Sequence, residues 1–132
     1  MKIVADSSTF LAVVLAERER SCILKSTRGA AVLAPEILPY EIGNALSAMV
    51  RRARLSADQA LAAWRAFTKI PVRLMPCDIR AALELAANRK IYAYDAYFLH
   101  TARSSGCALL TLDRAMQGIA TDLGIETLEI GK

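Results

Sequence analysis

Asp95 lies in the segment YDAYFLHTA (Tyr94 to Ala102), where helical spacing makes Ile91, Phe98, Leu99 and Ala102 its neighbours one turn back and one or two turns on. A carboxylate is thereby set on an apolar stripe. Burying an unpaired ionised carboxylate costs more than a domain stable by roughly 5–15 kcal/mol can absorb, so the group must be protonated, hydrogen-bonded, paired with a cation or bound to a metal. No cation is placed to pair with it: Lys90 lies five residues back and Arg103 falls on another helical face. Glu41 repeats the pattern, because in ILPYEIGNALSAMV its one-turn neighbours are Ile37, Leu38 and Ala45. Two helices each carry an acid where burial is expected.

The frame that must position them is short. A chain of 132 residues with 55% hydrophobic content is long enough for one core and too short for two. One domain over residues 1–132 is the expectation. The net charge of +4 attracts polyanions only mildly, and Arg51, Arg52 and Arg54 are the one basic cluster. They fit a helix C-terminus complementing its dipole as well as they fit a nucleic-acid contact. Cys22, Cys77 and Cys107 are odd in number and show no CxxC or Cys/His spacing, which argues against a disulfide framework and against zinc. The start, Met1 to Ala16, is too short in its apolar run and is interrupted by Asp6, so it is read as neither a signal peptide nor a membrane span. A cytoplasmic protein is expected.

Along the chain, short β-type apolar runs alternate with longer helical patterns. Strands are expected at Ile3 to Ala5, Ala31 to Leu33, Val72 to Met75, Cys107 to Thr111 and Thr127 to Ile130. Between them, Ser7 or Ser8 caps a helix through Leu15, and Glu17 to Thr27 continue helical until Gly29. Pro35 or Pro39 opens a helix to about Arg54, and Ser56 with Gln59 makes a capping box for a helix through Phe67. Asp78 caps Ile79 to Ala87, a helix runs from about Ala93 to Ser104 with Gly106 ending it, and Asp113 starts a helix to Leu123. This rhythm predicts an α/β fold, a mainly parallel sheet with helices on both faces.

Ligands in open parallel sheets bind beyond the carboxyl ends of the strands, which gives two further acids a meaning. Asp6 ends the first strand, and Asp113 lies just past the strand ending at Thr111. If the helices bearing Glu41 and Asp95 begin at that edge, four carboxylates converge, and their repulsion in a partly desolvated cleft calls for a divalent cation. Ligation by oxygen alone favours Mg²⁺ or Mn²⁺. Three of the acids also have an ordinary structural use, Asp6 and Asp113 as N-caps and Glu41 as a partner for Tyr40 or a loop amide, and Asp95 is the hardest to explain away. One site explains all four together.

The ordered set IVADSSTFLA (Ile3 to Ala12), LPYEIGNAL (Leu38 to Leu46), YDAYFLHTA and LLTLDRAM (Leu109 to Met116) resembles the PIN domain, and within it the VapC-type ribonuclease toxins of toxin–antitoxin pairs. The likeness spans nearly the whole chain. It implies a three-layer α/β/α fold similar to 5′-nucleases and metal-dependent cleavage of RNA, with catalytic roles for Asp6, Glu41, Asp95 and Asp113 and metal binding by Asp6, Asp95 and Asp113. It extends supporting roles to Ser8, Asn44 and Thr111, each of which also serves as a cap, a surface amide or a strand residue. Some relatives place a further acid three or four residues after the last Asp, where this chain has Met116 and Gln117. Arg114, beside Asp113, fits a phosphate contact or an exposed helical Arg, and His100, the only His, fits proton transfer or packing. The resemblance further implies a small antitoxin partner and a homodimer.

Other acid-rich folds fail on residues. A phospho-receiver needs an acidic pair after the first strand and a Lys after the last, but Ser7 follows Asp6 and no Lys lies between Lys90 and Lys132. A haloacid-dehalogenase-type phosphatase needs a second Asp where Ser8 stands. Two alternatives stay open: a non-catalytic RNA-binding PIN domain with a relict acidic site, and a nuclease directed at DNA, since the phosphate chemistry is shared.

Overall fold

A computed structural model describes residues 1–130. Four strands, β1 (Lys2–Ala5), β2 (Ala31–Pro35), β3 (Arg73–Met75) and β4 (Ala108–Leu110), form one sheet in the order β3-β2-β1-β4 with every neighbour parallel. Seven helices connect them among the described residues: α1 (Ser7–Val14), α2 (Arg20–Ser26), α3 (Leu38–Arg51), α4 (Ala57–Thr68), α5 (Ile79–Arg89), α6 (Ala93–Ser105) and α7 (Arg114–Asp122). Consecutive residues of a strand point to opposite faces, so the burial of Ile3, Val4 and Ala5 in a row means that helices cover both sides of the sheet.

The strand order sets the position of the site. From β1 the chain steps outward through β2 to β3, then returns to place β4 on the other side of β1. The direction of winding therefore reverses at β1, and in open parallel sheets the crevice at such a reversal is where ligands bind. The register pairs Ala5 with Leu110 and the Asp6 amide donates to the Leu110 carbonyl (3.1 Å), so β1 and β4 end level with each other at that crevice.

Local chemistry explains most boundaries. Ser56 and Gln59 bond reciprocally across the first turn of α4, Asp78 accepts from the Ala81 amide at the start of α5, and Gly106 closes α6 in the left-handed region at φ +65°. α3 buries Leu38, Ile42 and Leu46, one residue per turn, and α6 buries Ala96, Phe98, Leu99 and Ala102.

Three expectations are corrected. The continuous helix from Glu17 is broken, because Ala16 takes a left-handed conformation (φ +54°) and α2 begins only at Arg20. Asp6, not Ser7 or Ser8, caps α1. Thr127 to Ile130 form no strand: Thr127 makes a single parallel bridge to Leu109, flanked by bonds from the Leu109 amide to Glu126 and from the Leu128 amide to Leu109. No helix of the described residues is long and apolar enough to cross a membrane.

Candidate active site

Asp6 is buried at the β1–α1 junction, 6% exposed, and four donors hold it. Oδ1 accepts from the Ser8 hydroxyl (2.6 Å), the Thr9 amide (3.2 Å) and the Thr9 hydroxyl (3.1 Å), and Oδ2 accepts from the Thr111 hydroxyl. Burial pushes the Asp6 carboxyl above the ordinary range, against the pull of Ser8, Thr111 and Thr9. Four donors aimed at one carboxylate fix its rotamer and leave the group at the crevice floor. Thr9 is the residue that the sequence reading missed. As one of several Ser and Thr residues after Asp6 it has no distinguishing pattern, and only the fold shows its hydroxyl lying between Asp6 and the Leu110 carbonyl (3.2 Å).

The strand-end Thr111 ties the second acid to the first. Its hydroxyl, while donating to Asp6, accepts from the Asp113 amide (3.0 Å). Ser8 bridges likewise, since its oxygen accepts from the Leu112 amide (3.2 Å) while its proton goes to Asp6. Asp113 is the N-cap of α7, with Oδ1 accepting from Ala115 (2.9 Å) and Met116 (3.2 Å), and it is exposed. Gln117, where some relatives would carry an acid, donates instead to the Thr111 carbonyl (2.9 Å) and braces the same junction.

Glu41 and Asp95 stand in the first turns of α3 and α6, whose amino ends face the crevice. Both are half-buried, not buried as their apolar neighbours suggested, because a first turn at an open sheet edge has the core on one side only. Burial pushes Glu41 up to about 7, with the charges of Asp95 and then Asp6 acting in the same direction. Asp95 is raised too, by burial first, then by Asp113 and Asp6. Asp6 and Asp95 thus act on Glu41, and Asp6 and Asp113 act on Asp95. Glu41 Oε1 is buried and has no hydrogen-bond partner.

A cleft of about 270 Å³ opens on Glu41, lined also by Ser7, Ile37, Tyr40, Asn44, Ala45 and Tyr94. A larger groove of about 620 Å³ adjoins it across Ile37 and Tyr40, but its wall is mainly apolar and holds none of the four acids. Among the described residues no three His, Cys, Asp or Glu side chains stand close enough together to hold a metal ion as they are. The donor set nevertheless suits a hard divalent ion: oxygen ligands only, an orphaned buried carboxylate oxygen and acids whose proton affinity is raised by one another.

Of the other expected residues, Asn44 is exposed on the cleft wall one turn after Glu41, and Arg114 is exposed next to Asp113. Arg51 and Arg52 end α3, roughly 15 Å of helix beyond Glu41 at 1.5 Å per residue, so the fold does not bring them to the cleft. His100 lies in α6 with a buried Nδ1 that has no partner.

Known proteins share both the sequence pattern and this frame. Ribonuclease VapC3 of Pyrobaculum aerophilum is 29% identical over 121 residues, covering 88% of this chain and 92% of the relative. Ribonuclease VapC9 of Mycobacterium tuberculosis is 32% identical over 116 residues, covering 84% of this chain and 85% of the relative. In fold, a chain of VapBC2 from Rickettsia felis, solved bound to a DNA fragment from their promoter, superposes with a TM-score of 0.70 at 11% identity over 97% of this chain and 98% of that one. VapC20 of Mycobacterium tuberculosis, described as a Sarcin-Ricin loop cleaving toxin, superposes with a TM-score of 0.62 at 17% identity, covering 89% and 94%. The PIN domain model matches residues 3–121, which span all of the strands but Lys2 and all but the last residue of α7, and the chain belongs to the PIN domain family.

Proposed function

We propose that residues 1–132 form one metal-dependent endoribonuclease domain that hydrolyses RNA phosphodiester bonds as the toxin of a toxin–antitoxin pair. The observation that carries this reading is the buried, unpartnered Oε1 of Glu41, a group on which Asp95 and Asp6 act, with Asp113 acting in turn on Asp95. Two relatives named as ribonucleases, aligned over most of both chains, support it.

Asp6, Asp95 and Asp113 would hold Mg²⁺ or Mn²⁺, which supplies an activated water and positive charge against the charge building on the phosphate in the transition state. Asp6 is the rigid member, since Ser8, Thr9 and Thr111 leave it one orientation. Asp113 is fixed by its own capping bonds, with one oxygen committed to α7 and the other free. Glu41, half-buried with Oε1 bound to no other group, is suited to position the attacking water and take its proton at Oε1. Asn44 and Arg114 flank the acids, one an amide for substrate oxygens and the other a cation for phosphate.

A small antitoxin whose tail covers the acidic cleft, a homodimer and a cytoplasmic location complete the reading; the solved VapBC2 structure of similar fold is consistent with the first. The test is incubation of the pure protein with structured RNAs, unstructured RNAs and DNA oligonucleotides in Mg²⁺, Mn²⁺ or chelator. Internal cleavage of RNA that stops in chelator is expected. Cleavage of DNA alone, or RNA binding without cleavage under every metal, would overturn it.

A further inference from the structure

All four tyrosines of this chain lie on the two helices that carry Glu41 and Asp95 or at their start: Tyr40 in α3, Tyr92 capping α6, and Tyr94 and Tyr97 within it. Tyr40 and Tyr94 each immediately precede an acid, so each ring projects about 100° around its helix from the carboxylate. Both line the 270 Å³ cleft that opens on Glu41, and they remain 76% and 51% exposed. Tyr94 is not loose, because Tyr97 meets it edge-to-face with ring centroids 6.0 Å apart. Tyr40 stands on the ridge between the cleft and the larger apolar groove. Asn44, one turn after Tyr40, turns an amide to the same cleft.

We propose that Tyr40 and Tyr94 form a base-binding subsite, in which one unpaired nucleobase beside the scissile phosphate leaves its stack and inserts against the two rings with the Asn44 amide at its edge. This rests on the ribonuclease reading and deepens it by naming the side chains that would hold a base of the RNA. Three features select this occupant. At about 270 Å³ the cleft has room for a single heterocycle beside Glu41. A neutral base meets no repulsion beside the Glu41 carboxyl on which the cleft opens, whereas an acidic peptide would. Stacking on tyrosine accepts any base, while an amide offers both a donor and an acceptor to the base's edge.

The test separates binding from cleavage. In an Asp95→Asn background with Mg²⁺, a short single-stranded RNA carrying 2-aminopurine and the same sequence in a full duplex are titrated with protein. Quenching of the single strand is expected, with the duplex bound at least about tenfold more weakly. Tyr40→Ala or Tyr94→Ala should raise Kd by roughly five- to a hundredfold, from the measured worth of base–aromatic stacking, and Tyr40→Phe or Tyr94→Phe should keep binding near the parent. Equal binding of duplex, or Ala variants that bind and quench like the parent, would overturn the subsite. So would a change in oligomeric state on Tyr40→Ala with RNA binding intact, which would make the tyrosines an interface between copies. Failure is distinguishable from that of the ribonuclease reading: cleavage by the otherwise unaltered chain that is indifferent to both Ala substitutions removes only the subsite. Tyrosine-dependent quenching in a chain that never cleaves RNA supports the subsite and removes the catalysis.

Discussion

Asp6 and Asp95 have opposite surroundings at equal formal charge. Asp6 is held by four donors, whereas the groups that act on Asp95 are burial and two other carboxylates. Either substitution to Asn should lower metal-dependent cleavage by at least about a hundredfold, because the shape persists while the charge that holds the cation is gone. Their stabilities should diverge: Asp6→Asn turns an amide toward hydroxyls that now donate to Asp6 and should cost about 1–3 kcal/mol in denaturant unfolding, while Asp95→Asn should cost nothing. Equal losses in the two variants would mean that Asp95 is an ordinary structural acid. Glu41 adds a pH signature. Its folded-state value of about 7 stands above the ordinary 4.5, so between these limits the folded chain binds more protons than the unfolded one and stability falls as pH rises. Asp6 and Asp95, also raised, act with the same sign. In chelator the melting temperature should therefore drop from about pH 5 to about pH 7.5, and Glu41→Gln should flatten part of that drop. A Glu41→Gln profile parallel to the parent's would contradict the raised value.

At the scale of elements, the site is a set of junctions, each made where a strand ends and a helix begins. Asp6 and Asp113 cap α1 and α7, and the metal-binding role proposed for them would use the same side chains, so the two uses read from the sequence need not be rivals. Thr111 knits the two junctions. Thr111→Val keeps the strand's shape and removes both the donor to Asp6 and the acceptor for the Asp113 amide, leaving two polar groups short of a partner. It should destabilise the protein by about 1–3 kcal/mol and depress cleavage together with it, whereas Thr111→Ser should restore both; unfolding curves and initial rates on the three proteins check this. A Val variant as stable as the parent would show that the knot carries little. Junctions of this kind are only half legible in sequence. Caps such as Ser56 with Gln59, Asp78 and Gly106 act within one turn and are readable from neighbouring residues. The bonds from Thr9 to Leu110, Ser8 to Leu112 and Gln117 to Thr111 depend on which strands pair, which periodicity does not disclose. The same holds for the end of the chain, where Thr127 to Ile130 look like an edge strand and Glu126 to Leu128 bond only to Leu109.

For the whole molecule, the alternation of short apolar runs with amphipathic helices was enough to predict a covered parallel sheet, because burial on both faces leaves its mark on every residue of β1. The order β3-β2-β1-β4 was not readable, yet it is what places the ends of β1 and β4 side by side and makes a site of residues as far apart as Asp6 and Asp113. A fold that collects like charges at one edge carries a standing penalty in the metal-free state, and a cation that binds only the folded chain should relieve it. Added Mg²⁺ or Mn²⁺ should thus raise the melting temperature of the parent, by the equivalent of about 2.7 kcal/mol at a hundredfold excess over Kd. Asp95→Asn removes one of the repelling charges, so in chelator it should melt at the parent's temperature or higher, and it should lose most of the response to metal. Were Asp95 a hydrogen-bonded structural acid instead, its removal would cost about 1 kcal/mol or more with or without metal. Melts of both proteins in metal and in chelator give the two readings opposite signs: a destabilised metal-free variant beside a parent indifferent to metal would leave the four acids without a cation to explain them.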